Sequence, residues 1–502
     1  MPFHARWLAS LMFVLPASLA AQASPYIPRD DPRLPAFEHL IALGDVEDPS
    51  PMVRPFRRID AVRALDSALA KGEARDTGLI NQLRSAWTED TAQARWEVEG
   101  RAGGQGYTEA RRDPLHPGGA RRVRPYIELR LQGTFENLVL VSRPAIEPRV
   151  TDDPDWPGRK DLKVSGRHAE GYVSAQFRYA RLFYGQMDQN WGPVAVPGIG
   201  LSDYGYPRPA FGFEVGAGRF RLAAQASTLA DQTDTAGVVT HRYFFAHRLG
   251  ARLSRRFDLA LWETVVLAGP DRSFDGRYRN PVTLLLLANE YGLGDQGNVL
   301  LGFDFQWRLG RRTTLQGQLG IDDLQYQKRS GPTRYPDRYA FTLQAAGPLR
   351  GKVAWRALYT QASSLAFRTF RTAENFTDQG VGLGRSFADN DQITMSVTAP
   401  VTSRWLVNPE LTLLRQGEGR LDQAVPASGT ATAGDTPELF IGTVERTWRA
   451  AIGVSGRQGP LVVQANGGIH YIDNAGNVGG RHRTRFVGRI QATLGLGRQG
   501  RF

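Results

Sequence analysis

Two periodicities divide the chain. Between residues 33 and 90 the apolar positions recur at helical spacing. Leu34, Phe37, Leu40 and Ile41 share a face, and Gly44 stands where a helix would stop. Pro49, Pro51 and Pro55 interrupt the pattern. Val62, Leu65 and Leu69 mark a second helix ended by Gly72, and Leu79, Ile80, Leu83 and Trp87 mark a third. Helices this short, each with one apolar face, gain their stability from tertiary packing. They are expected to plug or cap a larger body from the periplasmic side; a small independent helical domain is the alternative.

From about residue 93 the period becomes two. Val299, Leu301, Phe303, Phe305, Trp307 and Leu309 alternate with Asp304, Gln306 and Arg308. Ile127, Leu129 and Leu131 alternate with Glu128, Arg130 and Gln132, and Val173, Ala175, Phe177 and Tyr179 with Ser174, Gln176 and Arg178. The same holds for Tyr339–Ala345, Val353–Thr360 and the final run through Phe486, Ile490, Leu494 and Leu496. This is strand alternation with one polar face.

A soluble sandwich shows the same local pattern. Three features favour a transmembrane barrel. Many runs reach the roughly 9–11 residues that a tilted spanning strand needs. Aromatics flank the apolar bands at Tyr243-Phe244-Phe245, Tyr291 and Trp307, as in interfacial girdles. The last strand-like segment ends at Phe502, which resembles the terminal aromatic of bacterial outer-membrane proteins. The expected fold is therefore an all-β, antiparallel outer-membrane barrel of about 18 strands, an even number as in bacterial barrels. Leu309–Arg312 and Gly347-Pro348-Leu349 read as short turns. Long polar insertions near 104–122, 146–167, 188–207, 229–241, 269–280, 326–337, 363–378, 417–437 and 472–482 read as extracellular loops.

The N-terminus reads as an export signal. Arg6 is followed by the apolar stretch Trp7–Leu15 and by Ala21-Gln22-Ala23, a small-x-small cleavage site. The expected division is a signal peptide over 1–23, a periplasmic helical section over 24–92 and a barrel over 93–502. Composition agrees. A mean hydropathy of −0.36 looks soluble, but alternation hides lipid-facing residues in the average. The absence of cysteine among 502 residues excludes disulfides, thiol chemistry and a lipidated N-terminal cysteine. The formal charge is +12, and loss of the signal with its one arginine leaves +11. An exported chain is not expected to meet nucleic acid.

Catalytic signatures are weak. The eight histidines form no metal-binding motif, and Pro197–Ser202 does not complete a nucleophile elbow. Gly103-Gly104-Gln105-Gly106 is followed by no Lys-Ser/Thr, so it is not a phosphate loop; both glycine-rich stretches read as turns or loops. No enzyme activity, cofactor or metal is expected. Asp152, Asp153, Asp155 and Asp161 lack the spacing of a calcium loop and read as a solvated acidic loop, with calcium as the alternative. The polar strand faces carry Arg130, Arg178, Arg308, Arg356 and Arg489. Two readings of these stay open: an anion-attracting lumen, or an arginine–acid ladder with Glu128, Asp304 and Asp322. Glu263 shares parity with Phe257, Leu259, Leu261, Val265 and Leu267. A carboxylate on a lipid-facing row calls for a bulge, a register shift or a place above the membrane edge.

The chain resembles the Wzi-like capsule assembly family. The resemblance lies in Ser24-Pro25-Tyr26-Ile27-Pro28, Arg54-Pro55 and the Ile59–Lys71 helix. It lies also in Gly185–Pro193, with its Trp191-Gly192-Pro193, and in Arg208-Pro209. Trp262-Glu263-Thr264, Asn280-Pro281, Glu290, Asn298–Gly302 and Ile321-Asp322-Asp323 follow in order. Val194 stands where the family often has glycine. The resemblance implies a barrel of about 18 strands with a periplasmic helical bundle and a lectin-like role: binding capsular or other acidic surface polysaccharide and helping attach it at the cell surface. It implies polysaccharide contacts at Arg181, Asp188, Trp191, Arg208, Glu263, Asn280 and Glu290, with Trp191 stacking on a sugar ring and Arg181 or Arg208 pairing with an acidic sugar; a turn packed on the wall is the other reading of Trp191. Expected partners are that polysaccharide, outer-membrane lipid and lipopolysaccharide, and the barrel-assembly machinery. The alternative is a diffusion porin with weak anion preference.

Overall fold

The computed structural model describes residues 22–90, 92–116, 118–217, 219–290, 297–310, 312–324, 335–426 and 435–502. Most of the expected signal segment, Tyr291, and parts of the 326–337 and 417–437 loops fall outside the described residues.

The alternating runs close into one antiparallel barrel of 18 strands. The first nine are β1 (Ala94–Tyr107), β2 (Val123–Phe135), β3 (Leu138–Ile146), β4 (Gly166–Gln176), β5 (Ala180–Gln186), β6 (Pro209–Ala217), β7 (Phe220–Thr233), β8 (Val239–Arg252) and β9 (Phe257–Gly269). The rest are β10 (Asn298–Leu309), β11 (Thr313–Asp323), β12 (Arg338–Arg350), β13 (Val353–Ala362), β14 (Asn390–Thr402), β15 (Trp405–Gln416), β16 (Glu445–Gln458), β17 (Leu461–Asp473) and β18 (Arg483–Arg501). Each pairs with its neighbour in sequence, and β18 closes on β1 in unbroken register from Arg95↔Arg501 to Tyr107↔Arg489.

Burial is inverted relative to a soluble protein. Leu129, Leu131, Phe303 and Trp307 are 41%, 42%, 37% and 46% exposed, while Glu128, Arg130, Asp304 and Gln306 on the opposite face are 1–3% exposed. Apolar rows facing outward and polar rows facing inward are what a lipid solvent selects. No described helix is long and apolar enough to cross a membrane. The protein resides in the bacterial outer membrane.

Several local expectations are corrected. Gly347-Pro348-Leu349 lies inside β12, and the turn is at Gly351 (φ +55°). Residues 229–241 are mostly strand, leaving a loop at 234–238. Gly103–Gly106 is neither turn nor loop but part of β1; a Cβ at Gly103 would lie 2.0 Å from the Ala492 carbonyl oxygen, so the glycine permits close pairing with β18. Phe244 and Phe245 form no open girdle: Phe244 points into the lumen core and Phe245 lies under a covering segment. Arg178 sits in the turn after β4, not on the lumen wall, with its guanidinium 5.1 Å from the Tyr179 ring centroid. Of the four acids read as a solvated loop, Asp152, Asp153 and Asp155 are held by Arg124 and Arg112, the last shared by Asp153 and Asp155, while Asp161 is exposed as expected and pairs with the equally exposed Arg159.

Three helices precede the barrel: α1 (Leu34–Leu43), α2 (Arg58–Lys71) and α3 (Thr77–Trp87). Gly44 and Gly72 end the first two in left-handed conformation, and the Asp76 carboxylate accepts the Leu79 N–H at the start of the third. Phe37, Leu40, Leu65, Ile80, Leu83 and Trp87 form their core, which takes in Ala354 of β13. Lys352 reaches Asp76 at 3.1 Å and Arg308 reaches Glu47 at 2.8 Å. The helices therefore sit at the end of the barrel that carries the short turns, which in bacterial barrels faces the periplasm.

Candidate functional site

The lumen is furnished from both ends. From the periplasmic side the chain enters at Met52–Arg54. From the opposite side the segments 187–208 and 363–389 fold inward. Val53 pairs with Trp191 and Arg54 with Asn190 in a short antiparallel ladder, and Gly192 N–H donates to the Met52 carbonyl at 2.8 Å. Ser202 N–H donates to the Leu383 carbonyl at 3.0 Å, which ties the two inward segments together.

The wall is shaped to receive them. Trp262 of β9, Gly302 of β10 and Gly320 of β11 are direct cross-strand neighbours. A Cβ at Gly302 would lie 2.2 Å from the Trp262 ring, and one at Gly320 would lie 2.6 Å from the Ile199 side chain. The two glycines thus leave the space that Trp262 and Ile199 fill. Trp191, Ile199, Leu201, Phe244, Trp262 and Phe367 belong to one apolar cluster inside the barrel.

The remaining inner wall is a polar ladder. Gln344 donates to Gln316 and Gln316 to Gln306, each at 2.7 Å. Arg248 grips Asp304 through two bonds of 2.6 and 3.0 Å. Arg143 binds Asp30 at 2.6 Å and lies 3.6 Å from Glu128 and 3.7 Å from Glu170. Glu128, Asp304 and Asp322 do meet arginines, but these are Arg143, Arg248 and Arg338. Of the arginines singled out in the sequence only Arg308 has a carboxylate partner among the described residues, Glu47.

The seven residues implied by the resemblance fall in three separate places. Arg181 is at the periplasmic end of β5, paired with Glu214 of β6. Asp188, Trp191 and Arg208 belong to the inward segment. Trp191 is 4% exposed and spends its ring on the apolar cluster, so it has no open face for a sugar. Arg208 donates to the Leu383 carbonyl at 3.3 Å, and burial holds it below its ordinary pKa against the fields of Asp378 and Asp188. Burial, reinforced by Asp203, pushes the Asp188 carboxyl up to about 7.

Glu263, Asn280 and Glu290 lie on the outer face. Glu263 is 7% exposed on the lipid-facing parity of β9, with no bulge or register shift in its pairings. What shields it is the chain that follows β9. Residues 276–290 fold back over the outer wall as α4 (Gly276–Arg279) and α5 (Leu285–Glu290), and Tyr278, Leu285 and Ala288 pack on Phe245, Val265 and Leu267. Glu263 accepts the N–H groups of Leu285 and Leu286 at 2.8 and 3.3 Å and contacts His247 Nδ1 at 3.2 Å. The exposed Val282, Leu284 and Leu287 continue the apolar outer surface. Asn280 is exposed and accepts the Val282 N–H at 3.2 Å. Glu290 ends α5, and its side chain lies outside the described residues.

One cluster escaped the sequence reading. Because β18 closes on β1, the loops 108–122 and 474–482 meet at the extracellular rim. A cleft of about 410 Å³ there is lined by Arg111, Arg112, Arg121, Arg483 and Arg485 against only Glu109 and Asp113. Arg485 binds Glu109 at 3.0 Å, whereas Arg111 and Arg483 have no carboxylate partner among the described residues. Burial pushes Asp113 up to about 6, and Arg485 lies 3.7 Å from it. The available signal was the pair of basic runs Arg111-Arg112 and Arg481–Arg485, distant in sequence and adjacent once the barrel closes.

No protein-family model matches the chain, and no curated protein matches it in sequence. Solved structures do match. The outer-membrane protein Wzi of Escherichia coli, described as a carbohydrate-binding β-barrel involved in group 1 capsule assembly, superposes with a TM-score of 0.63 at 16% identity, over 94% of this chain and 99% of that one. OprD of Pseudomonas aeruginosa gives a TM-score of 0.45 at 10% identity, over 81% and 94%. OccAB2 of Acinetobacter baumannii gives 0.44 at 9%, over 80% and 98%. This chain has the Wzi-like 18-stranded barrel fold. At these identities the likeness describes architecture, and the site residues rest on their own geometry.

Proposed function

We propose that this protein is a non-enzymatic outer-membrane barrel that binds acidic capsular or other surface polysaccharide at its extracellular rim and assists its attachment there. The observation that carries this reading is the rim cleft, whose five arginines include two, Arg111 and Arg483, with no carboxylate partner among the described residues. Guanidinium groups grip carboxylates in a bidentate fork and concentrate anions through their summed field. The carbohydrate-binding description of the structurally similar Wzi supports the same reading. Lipid and lipopolysaccharide meet the apolar outer face, and the barrel-assembly machinery inserts the chain.

The test is binding of purified acidic surface polysaccharide to detergent-solubilised protein. Replacing Arg111, Arg121 and Arg483 by alanine is expected to weaken binding at least tenfold and to flatten its salt dependence. Unchanged affinity in that variant, with normal capsule retention in a deletion strain, retires the proposal. The porin alternative makes the opposite claim about the lumen. The inward segments and their apolar cluster disfavour it, and stable open-channel currents from the intact protein in planar bilayers would restore it.

A further inference from the structure

The periplasmic end holds a second basic cavity, independent of the outer rim. It lies between α2 and the inner wall of β5–β7. Two chambers of about 490 and 630 Å³ share Arg57, Arg63, Arg181, Glu214 and Arg221 in their linings. Arg178 lines the larger chamber and Arg219 the smaller.

The charges do not cancel. Arg57 is held by Asp60 through bonds of 2.7 and 2.8 Å, and Arg181 is held by Glu214. Glu214 is the one acid common to the two chambers, and the further acids of the smaller one, Glu47, Asp48 and Asp258, are held by Arg308, Arg54 and Arg252. Arg63 is 67% exposed and comes no closer than 3.7 Å to Asp60. Arg178, Arg219 and Arg221 have no carboxylate partner among the described residues. Elsewhere in this lumen Arg101, Arg143 and Arg248 each have an acid within reach. Arg242 and Arg385, which lack an acid, are held instead by backbone carbonyls and by Thr360 and Asn390. Arg178, Arg219 and Arg221 have neither kind of partner among the described residues, and unneutralised guanidinium groups crowded together repel one another.

We propose that this cleft is a periplasm-facing anion site for a ligand carrying two or more carboxylate or phosphate groups. Arg178, Arg219 and Arg221 supply the free donor forks. Arg63, on the exposed face of α2, closes the opposite side. The already paired Arg57 and Arg181 keep the guanidinium row in place.

The experiment titrates the full detergent-solubilised chain with trigalacturonate, with tripolyphosphate and with uncharged maltotriose. At least one anion is expected to bind, weakening steeply with salt, while maltotriose does not. The exposed positions of the three free arginines predict that R178A/R219A/R221A keeps the heat-modifiable gel mobility of the folded barrel yet binds the anion at least tenfold more weakly. The R178K/R219K/R221K variant, which retains the charge, keeps part of the affinity and guards against a folding artefact. A preference for trigalacturonate identifies an acidic saccharide, and a preference for tripolyphosphate a phosphate-bearing group; either supports the site. The proposal is overturned if neither anion binds, if maltotriose binds equally well, if the alanine variant binds like the unaltered protein, or if the loss follows the rim substitutions R111A/R121A/R483A instead.

Discussion

Val53 and Trp191 face each other across a two-residue antiparallel ladder inside the barrel, although they arrive from opposite ends of it. The pairing makes the periplasmic section and the inward segment 187–208 one packed unit. Replacing Trp191 by alanine empties a site that is 4% exposed and bounded by Ile199, Leu201 and Trp262. The expected loss is about 3–5 kcal/mol, the usual cost of removing a large buried aromatic. Denaturant unfolding followed by the gel shift of the folded barrel measures it. A loss below about 1 kcal/mol would mean that the lumen core is not cooperative with the wall.

Glu263 turns a position that should favour lipid into an anchor. Its carboxylate holds the first N–H groups of α5 and faces His247. Glu263→Ala leaves those donors without their acceptor in a water-poor setting, at a cost of about 1–3 kcal/mol. The effect should be local. Trypsin is expected to cut at Arg277 or Arg279 markedly faster in the variant, while the barrel keeps its folded mobility. Equal cleavage rates would show that Val265, Leu267 and Leu285 hold the segment without the carboxylate.

The wall was legible in the chain and the furniture inside it was not. Alternation at Ile127–Gln132 and Val299–Leu309 predicts side-chain direction because strand geometry has a period of two. The three helices were legible from their spacing and from Gly44 and Gly72. The fate of residues 187–208 and 363–389 was hidden, because a loop that folds inward depends on room left by remote residues such as Gly302 and Gly320. Glu263 stands out in the sequence as a carboxylate on a lipid-facing row. Its pairings carry neither a bulge nor a register shift, and pattern within one strand cannot reveal a later segment folding back over it. The rim arginines escaped because their proximity follows from β18 closing on β1. Arg181, Asp188 and Glu263 lie in separate places for a similar reason, since shared order along a sequence does not place residues on the same side of a wall.

Asp188 makes stability depend on pH in a direction unusual for a carboxylate. Burial is the main cause of its rise from 3.8 to about 7; Asp203 and Asp30 push the same way, and Arg167 and Arg143 oppose it. A raised folded-state pKa favours the protonated form in the native protein. The contribution is fully present below pH 3.8 and is lost as pH rises through about 7. Asp188→Asn removes the titration without changing the shape. The thermal midpoint of the unaltered protein is therefore expected to fall relative to that of D188N between pH 5 and 8. Parallel pH curves for the two proteins would show that Asp188 is ionised at no cost.

Arg54 joins the ladder at Asn190 to the helical section, and it does so as a buried charge. It is 1% exposed, binds Glu38 at 2.7 and 3.0 Å, and reaches Asp48 at 3.1 Å. Its guanidinium also lies 4.0 Å from the centroid of the Phe56 ring. Arg54→Ala strands two carboxylates in the interior, and breaking a buried pair in this way costs about 3–5 kcal/mol. Removing all three charges together, as in E38Q/D48N/R54M, should cost less than the single alanine change, because no charge is left unpaired. That ordering separates a desolvated ion cluster from simple loss of packing. Unfolding midpoints of the single and triple variants measure it, and a triple variant less stable than R54A would show that the charges themselves, rather than their balance, hold the section in the barrel.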